Sequence, residues 1–271
     1  GFAGTQAAGL NTFFTSGDLT KSLHPGKAGF NGVLAARLAA LGGTSPPTML
    51  ENEKGYVNAY SLEPNLAALT KGLGTDWEIL QNGFKFFPSI LASHSPVQAT
   101  LAIVTGHDLK PAQIASITNE TYNTVKTHFS AKTVTTAMGA RVSVPYCCAV
   151  AALDRAVGQA QFALERVLRA DVQRLLAATE VVADAELNKL YPAKFPARVT
   201  ITATDGRRYA ASCDYPKGDP QDPLSDAEVE AKFLDNAGGR FAADKAREIV
   251  RRARGLRDGD ARSLTQLLAE S

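Results

Sequence analysis

The 271 residues are 45% hydrophobic and carry a formal net charge of +2. That is enough apolar content for one large or two small domains, and the charge is too small to point to nucleic acid as a partner. No apolar run reaches the length of a membrane span, no basic-then-apolar leader precedes a cleavage site, and Cys147, Cys148 and the remote Cys213 fit neither a disulfide framework nor a zinc spacing, so a reducing, cytoplasmic setting is expected.

The first ten residues, Gly1-Phe2-Ala3-Gly4-Thr5-Gln6-Ala7-Ala8-Gly9-Leu10, have no initiator Met, no capping residue and no polar face. Small residues at 3, 4, 7 and 8 suit close helix contact. The segment is expected to be a core helix of a chain that begins in mid-domain. Next comes Thr20-Lys21-Ser22-Leu23-His24-Pro25-Gly26-Lys27-Ala28-Gly29. From Gly26 onward Phe30, Val33, Leu34, Leu38 and Leu41 recur at helical spacing and stop at Gly42-Gly43. Pro25 fits a first helical position, where its missing N–H costs nothing. The following amides then point at whatever lies above the turn. A helix start flanked by Lys21, His24 and Lys27 is a candidate cradle for a carboxylate or phosphate, although solvated side chains would leave the same pattern. Helical signals continue to about residue 80. Trp77, Ile79, Leu80, Phe84, Phe86 and Phe87 then form a dense cluster that Pro88 closes.

From 88 to 220 helix and strand signals mix. Ser93 to His107 carries a helical stripe of Val97, Leu101 and Val104, with Ser93 as a possible cap and His94 at the start. Gln113 to Thr118 alternates as a half-buried strand does. Ser143 to Val157 predicts a small-residue helix led by Ser143-Val144-Pro145-Tyr146. Val199 to Tyr215 predicts a hairpin turning at Asp205-Gly206. Such a mixture suggests an α+β unit, not a regular βαβ series. Beyond 221 the texture is helical again, with a capping box at Ser225-Asp226-Ala227-Glu228. A second amphipathic helix follows, and its arginine face (Arg247, Arg251, Arg252, Arg254) reads as salt-bridged surface.

No metal-ligand cluster, phosphate loop, dinucleotide turn or nucleophile elbow is present. Histidines, lysines and tyrosines remain as candidate actors. A helix N-terminus lowers the pKa of a neighbouring histidine and favours the neutral, proton-accepting form, which suits His94 for acid–base work. A histidine that merely caps the helix would look the same. Tyr146 either turns its hydroxyl to a cleft or sits in the core with one hydrogen bond. Cys147 and Cys148 read as small core residues, since no adjacent base is evident.

The order of these segments carries a resemblance. Thr20 to Ala28 resembles the Lys-x-Leu-His-x-Gly-x-Ala segment of the MmgE/PrpD family. Gly4 to Gly9 is similar to the glycine-rich helix that precedes it. Phe84-Lys85 through His94 is similar to the segment holding a second catalytic histidine, and Ser143 to Tyr146 to the family's Ser-x-Pro-Tyr helix start. Pro216-Lys217-Gly218-Asp219-Pro220 to Ser225, then Lys232-Phe233, matches its C-terminal signature.

The resemblance implies a mixed fold. An all-α helical domain, incomplete at its N-terminus, would comprise residues 1–80 and the returning helices 221–271, with an inserted α+β lid at 81–220. It implies an enzyme that needs no cofactor and dehydrates, decarboxylates or epimerises small di- or tricarboxylates of the citrate, aconitate or iminodisuccinate kind. Dehydration or decarboxylation is favoured here over epimerisation. By carry-over, Lys21 would hold a substrate carboxylate with His24 and Lys27 beside it, His94 would act as acid and base, and Tyr146 would donate from the lid. Fixed cations would stabilise the negative charge that builds when a C–H or C–CO2 bond breaks, and a histidine near neutrality would move the proton. Family members are longer upstream. A homodimer, or a companion chain supplying the missing helices, is therefore expected, with no nucleic acid and no membrane as partner. The rival expectation is a catalytically silent subunit that binds or assembles.

Overall fold

The computed structural model describes residues 1–10, 12 and 20–269. They fall into two units, Gly1–Gln81 and Asn82–Ser271.

The first unit holds α1 (Phe2–Thr5), α2 (Thr20–Ala40) and α3 (Tyr56–Tyr60), followed by short 3-10 turns at Leu66–Leu69 and Glu78–Gln81. The opening is not the core helix expected of it, since α1 is four residues long with none buried, but its small residues do permit close approach. A Cβ on Gly4 would stand 2.8 Å from Met49 Cγ, and one on Gly43 3.0 Å from the Phe2 ring. Helix α2 stops as expected, with Gly42 at φ +84° and the Gly43 amide on the Leu38 carbonyl at 3.0 Å. Two further expectations need correction. Pro25 lies inside the helix, which is described from Thr20, so Lys21, His24 and Lys27 stand along the helix and do not flank its start. Pro25 lies beyond the turn in which a missing N–H is harmless, so α2 loses the bond that amide would have made to the Lys21 carbonyl. The apolar stripe is also not buried: Phe30 is 68% and Val33 61% exposed. Among the described residues of this unit only Ala35 and Gly55 are buried.

The second unit is mixed α and β. It runs α4 (His94–Gly106), β1 (Ile114–Thr121), α5 (Asn123–His128), α6 (Ala137–Val142), α7 (Val144–Asp154), α8 (Leu164–Val167) and α9 (Ala170–Ala177). Then come β2 (Thr179–Ala183), α10 (Ala185–Leu190), β3 (Ala197–Ala203), β4 (Arg208–Cys213), α11 (Asp226–Ala237), α12 (Ala243–Arg254) and α13 (Ala261–Ala269). The strands order β2-β1-β3-β4. β1 pairs in parallel with β2, Ile117 opposite Thr179, and antiparallel with β3, Ile117 opposite Ile201. β3 and β4 form the expected hairpin, with Gly206 at φ +86° supplying the turn.

Helix α4 packs on β3, β4 and α7. Every residue from Val144 to Ala152 of α7 is buried, which explains a helix with no polar face. Ser143 caps it by accepting the Tyr146 amide at 3.2 Å, and Arg155 ends it in the left-handed region at φ 54°. The Ser225 and Glu228 capping box forms at the start of α11. The α12 arginines pair with Asp244, Glu248 and Glu230. Among the described residues no helix is long and apolar enough to cross a membrane.

Candidate functional site

The chain leading into α4 is a strap, Phe84–Ile90, whose backbone is tied at every second residue. The Phe84 amide donates to the Gly218 carbonyl at 2.7 Å, and the Ile90 amide to the Arg141 carbonyl at 2.8 Å. The Phe86 carbonyl accepts from Lys232 Nζ at 3.0 Å, and the Pro88 carbonyl from Arg141 Nη1 at 2.6 Å. Gly218 is required at the first tie. Its φ is +93°, and a Cβ there would lie 1.9 Å from the Phe84 carbonyl oxygen. The intervening residues Lys85, Phe87 and Ser89 bear on His94. The Phe87 ring stands edge-on to the imidazole, centroids 5.3 Å apart.

His94 is wholly buried, and neither ring nitrogen has a hydrogen-bond partner. Burial depresses its pKa to about 4, and the positive charges of Lys85 and Lys232 add to that. The Ser89 and Phe87 backbones oppose it, Ser89 by more than Lys232 contributes. At neutral pH the imidazole is therefore uncharged and one nitrogen is a free proton acceptor. A 3-10 turn, Leu91–Ser93, delivers the chain to α4 already in helical geometry. Ser93 has αR backbone and does not cap the helix. Its hydroxyl donates to the Ile90 carbonyl at 2.8 Å and accepts from Ser89 Oγ at 2.7 Å. Cys147 Sγ faces this serine pair, and burial pushes its thiol up to about 12. Burial raises Cys148 to about 12 as well, so both sulfurs stay protonated, as core residues do.

Tyr146 lies in the core of α7. Its hydroxyl donates to the Gln161 carbonyl at 2.5 Å, and burial raises the phenol above its ordinary range. Lys21, His24 and Lys27 belong to the first unit, spaced three apart along α2. The two lysines are exposed and His24 is half-buried. The His24 ring faces the backbone of Gly9, where a Cβ would sit 3.6 Å from Cε1 and the φ is +136°. The structure thus joins the glycine-rich opening to the lysine–histidine motif, while His94 and Tyr146 lie in the second unit.

A cavity of about 610 Å³ lies beside the strap, bounded by Phe86, Phe87, Leu101, Gln159, Lys232 and Asn236, among others. Phe87 is common to the cavity and to the packing of His94. Among the described residues no group of three or more His, Cys, Asp or Glu is arranged to hold a metal ion. Sequence reasoning assigned no role to Lys85, Phe87, Lys232 or Arg141. The only signals were that the first two lie in the His94 segment and that Lys232-Phe233 belongs to the C-terminal signature.

Comparison with known proteins adds three findings. Residues 87–257 match the MmgE/PrpD C-terminal domain, and residues 1–68 match the MmgE/PrpD N-terminal domain. A human protein, cis-aconitate decarboxylase, is 27% identical over 265 residues, 92% of this chain and 53% of its own length. The chain spans about half the length of that curated relative.

Proposed function

The chain belongs to the MmgE/PrpD family, and on that premise we propose that it serves a lyase acting on a small di- or tricarboxylate by dehydration or decarboxylation. The observation that carries this reading is His94: a buried, neutral imidazole with both nitrogens unpartnered, flanked electrostatically by two lysines. Leaving buried polar atoms unpaired costs about 1–3 kcal/mol each, a burden that a purely structural residue would not carry and that an acid–base group does. In dehydration His94 takes a proton from carbon next to a carboxylate as hydroxide leaves the neighbouring carbon. In decarboxylation the C–CO2 bond breaks with its electron pair left on carbon and CO2 departs. His94, its charged form favoured once the substrate's carboxylates offset the two lysines, takes a proton from solvent and gives it to that carbon. Lys85 and Lys232 favour the carbanion-like state.

The likeness to cis-aconitate decarboxylase supports decarboxylation of an aconitate-like acid as one specific form of the reaction. Lys21, with His24 and Lys27 beside it, holds a substrate carboxylate in this reading. Tyr146 acts as a donor once its hydroxyl leaves Gln161. The Phe87 ring has to swing aside before substrate reaches His94. The exposed apolar face of α2 is covered by a second copy or by a companion polypeptide. Size-exclusion chromatography with mass spectrometry tests that part, and a monodisperse monomer would remove it.

The central test is proton NMR of turnover with citrate, 2-methylcitrate, cis-aconitate and iminodisuccinate, comparing the full chain with His94→Asn and Lys21→Ala. Consumption of one acid, lost in both variants, is the expected result. Turnover unchanged in both folded variants would leave a silent binding or assembly subunit, and racemisation of iminodisuccinate would replace the lyase by an epimerase.

A further inference from the structure

We propose that Lys232 is a positioning residue for His94: by reaching from α11 to the Phe86 carbonyl, it fixes the strap that holds Phe87 against the imidazole. The inference rests on the reading of His94 as the acid–base group. Of the four strap ties, two are backbone to backbone and one comes from Arg141. The Lys232 tie spans 146 residues at 3.0 Å and is the one set immediately before Phe87, the residue shared by the cavity wall and the imidazole packing.

The choice of lysine is informative. Its ammonium is half-buried and is spent on a carbonyl, while Asp235 offsets its charge only through space. Burying part of a cation to hold a neutral acceptor is unfavourable, and a glutamine amide would hold the same carbonyl at less expense in desolvation. What glutamine would not supply is positive charge beside His94, where Lys232 and Lys85 both act against protonation of the imidazole. One side chain therefore sets the position of the strap and helps keep the base neutral.

The test is an NMR titration of the His94 imidazole in the full chain, its resonance identified by its loss in His94→Asn. In Lys232→Gln the titration midpoint is expected to rise by about half a pH unit or more, because a like charge has been removed. In Lys232→Arg, which keeps both charge and donor, it should stay near the wild-type value. A midpoint unmoved in Lys232→Gln overturns the proposal, as does one that shifts equally in Lys232→Arg. If Lys232→Gln does not fold, Lys232→Met takes its place, and an unmoved midpoint there overturns the proposal. The titration needs no substrate. Loss of the lyase reading, seen as unimpaired turnover in His94→Asn, is thus distinguishable from loss of this one.

Discussion

Helices α2 and α7 are both rich in alanine and aliphatic side chains, yet they end in opposite surroundings. Val144 to Ala152 of α7 are buried one after another, whereas α2 buries Ala35 alone. Composition does not separate them; neighbours do. Helix α7 packs on α4, α9 and β2, and α2 packs chiefly on the four-residue α1. Tertiary packing, more than intrinsic propensity, decides whether such a helix is stable. The contrast also sorts experiments. Changes around α7 and the strap act on stability and chemistry together, while changes at exposed positions of α2 report on chemistry with little disturbance of the fold.

The largest expected effect is at the buried imidazole. His94→Asn should lower turnover by about 10²–10⁴-fold with circular dichroism unchanged. Full activity in that variant would dissolve the distinction between a chemical and a structural interior. Lys21→Ala, on the open helix, should reduce turnover by about 10²-fold while shifting stability by no more than about 0.5 kcal/mol, as read from urea midpoints. A large loss of stability there would show that α2 is not the tolerant surface its exposure implies.

The acid sensitivity of the second unit follows from the same imidazole. A histidine with an ordinary pKa of 6.5 when unfolded and about 4 when folded binds more protons in the unfolded state between those values. Stability therefore falls as pH drops from about 6.5 to about 4, by on the order of 3 kcal/mol at most. Wild type should lose urea resistance over that window more steeply than His94→Asn, and parallel pH profiles would count against a neutral buried imidazole. A smaller effect is expected of Gly218→Ala. The positive φ and the close Phe84 carbonyl should make it destabilising by about 2 kcal/mol, seen as a lowered melting temperature. An unchanged melting temperature would mean that the strap end is not held as described.

Much of the second unit was legible because its signals are local. Asp205-Gly206 marks its hairpin, Ser225 and Glu228 mark a helix start, and the alternation after Gln113 marks β1. Strand β2 left no such mark. Its five residues become a strand by pairing in parallel with β1 across an intervening run of helices, and that is a long-range event. His94 was legible from its place at a helix start, but not its isolation from hydrogen-bond partners. Lys85 and Lys232 were not legible as a pair, since a lone lysine looks solvated and their convergence depends on α11 folding back to the strap. Ser93 was misread because a 3-10 turn before α4 fixes its backbone in helical geometry. Pro25 was misread because preference for a first helical position is a tendency that a longer helix can override.

The strap draws its anchors from residues 141, 218 and 232, which belong to three separate stretches of chain. Each anchor depends on its own element being in place, so the cover over His94 is complete only when all three stretches are docked. An opening at any one tie would loosen that cover while β1 and β3 stay paired.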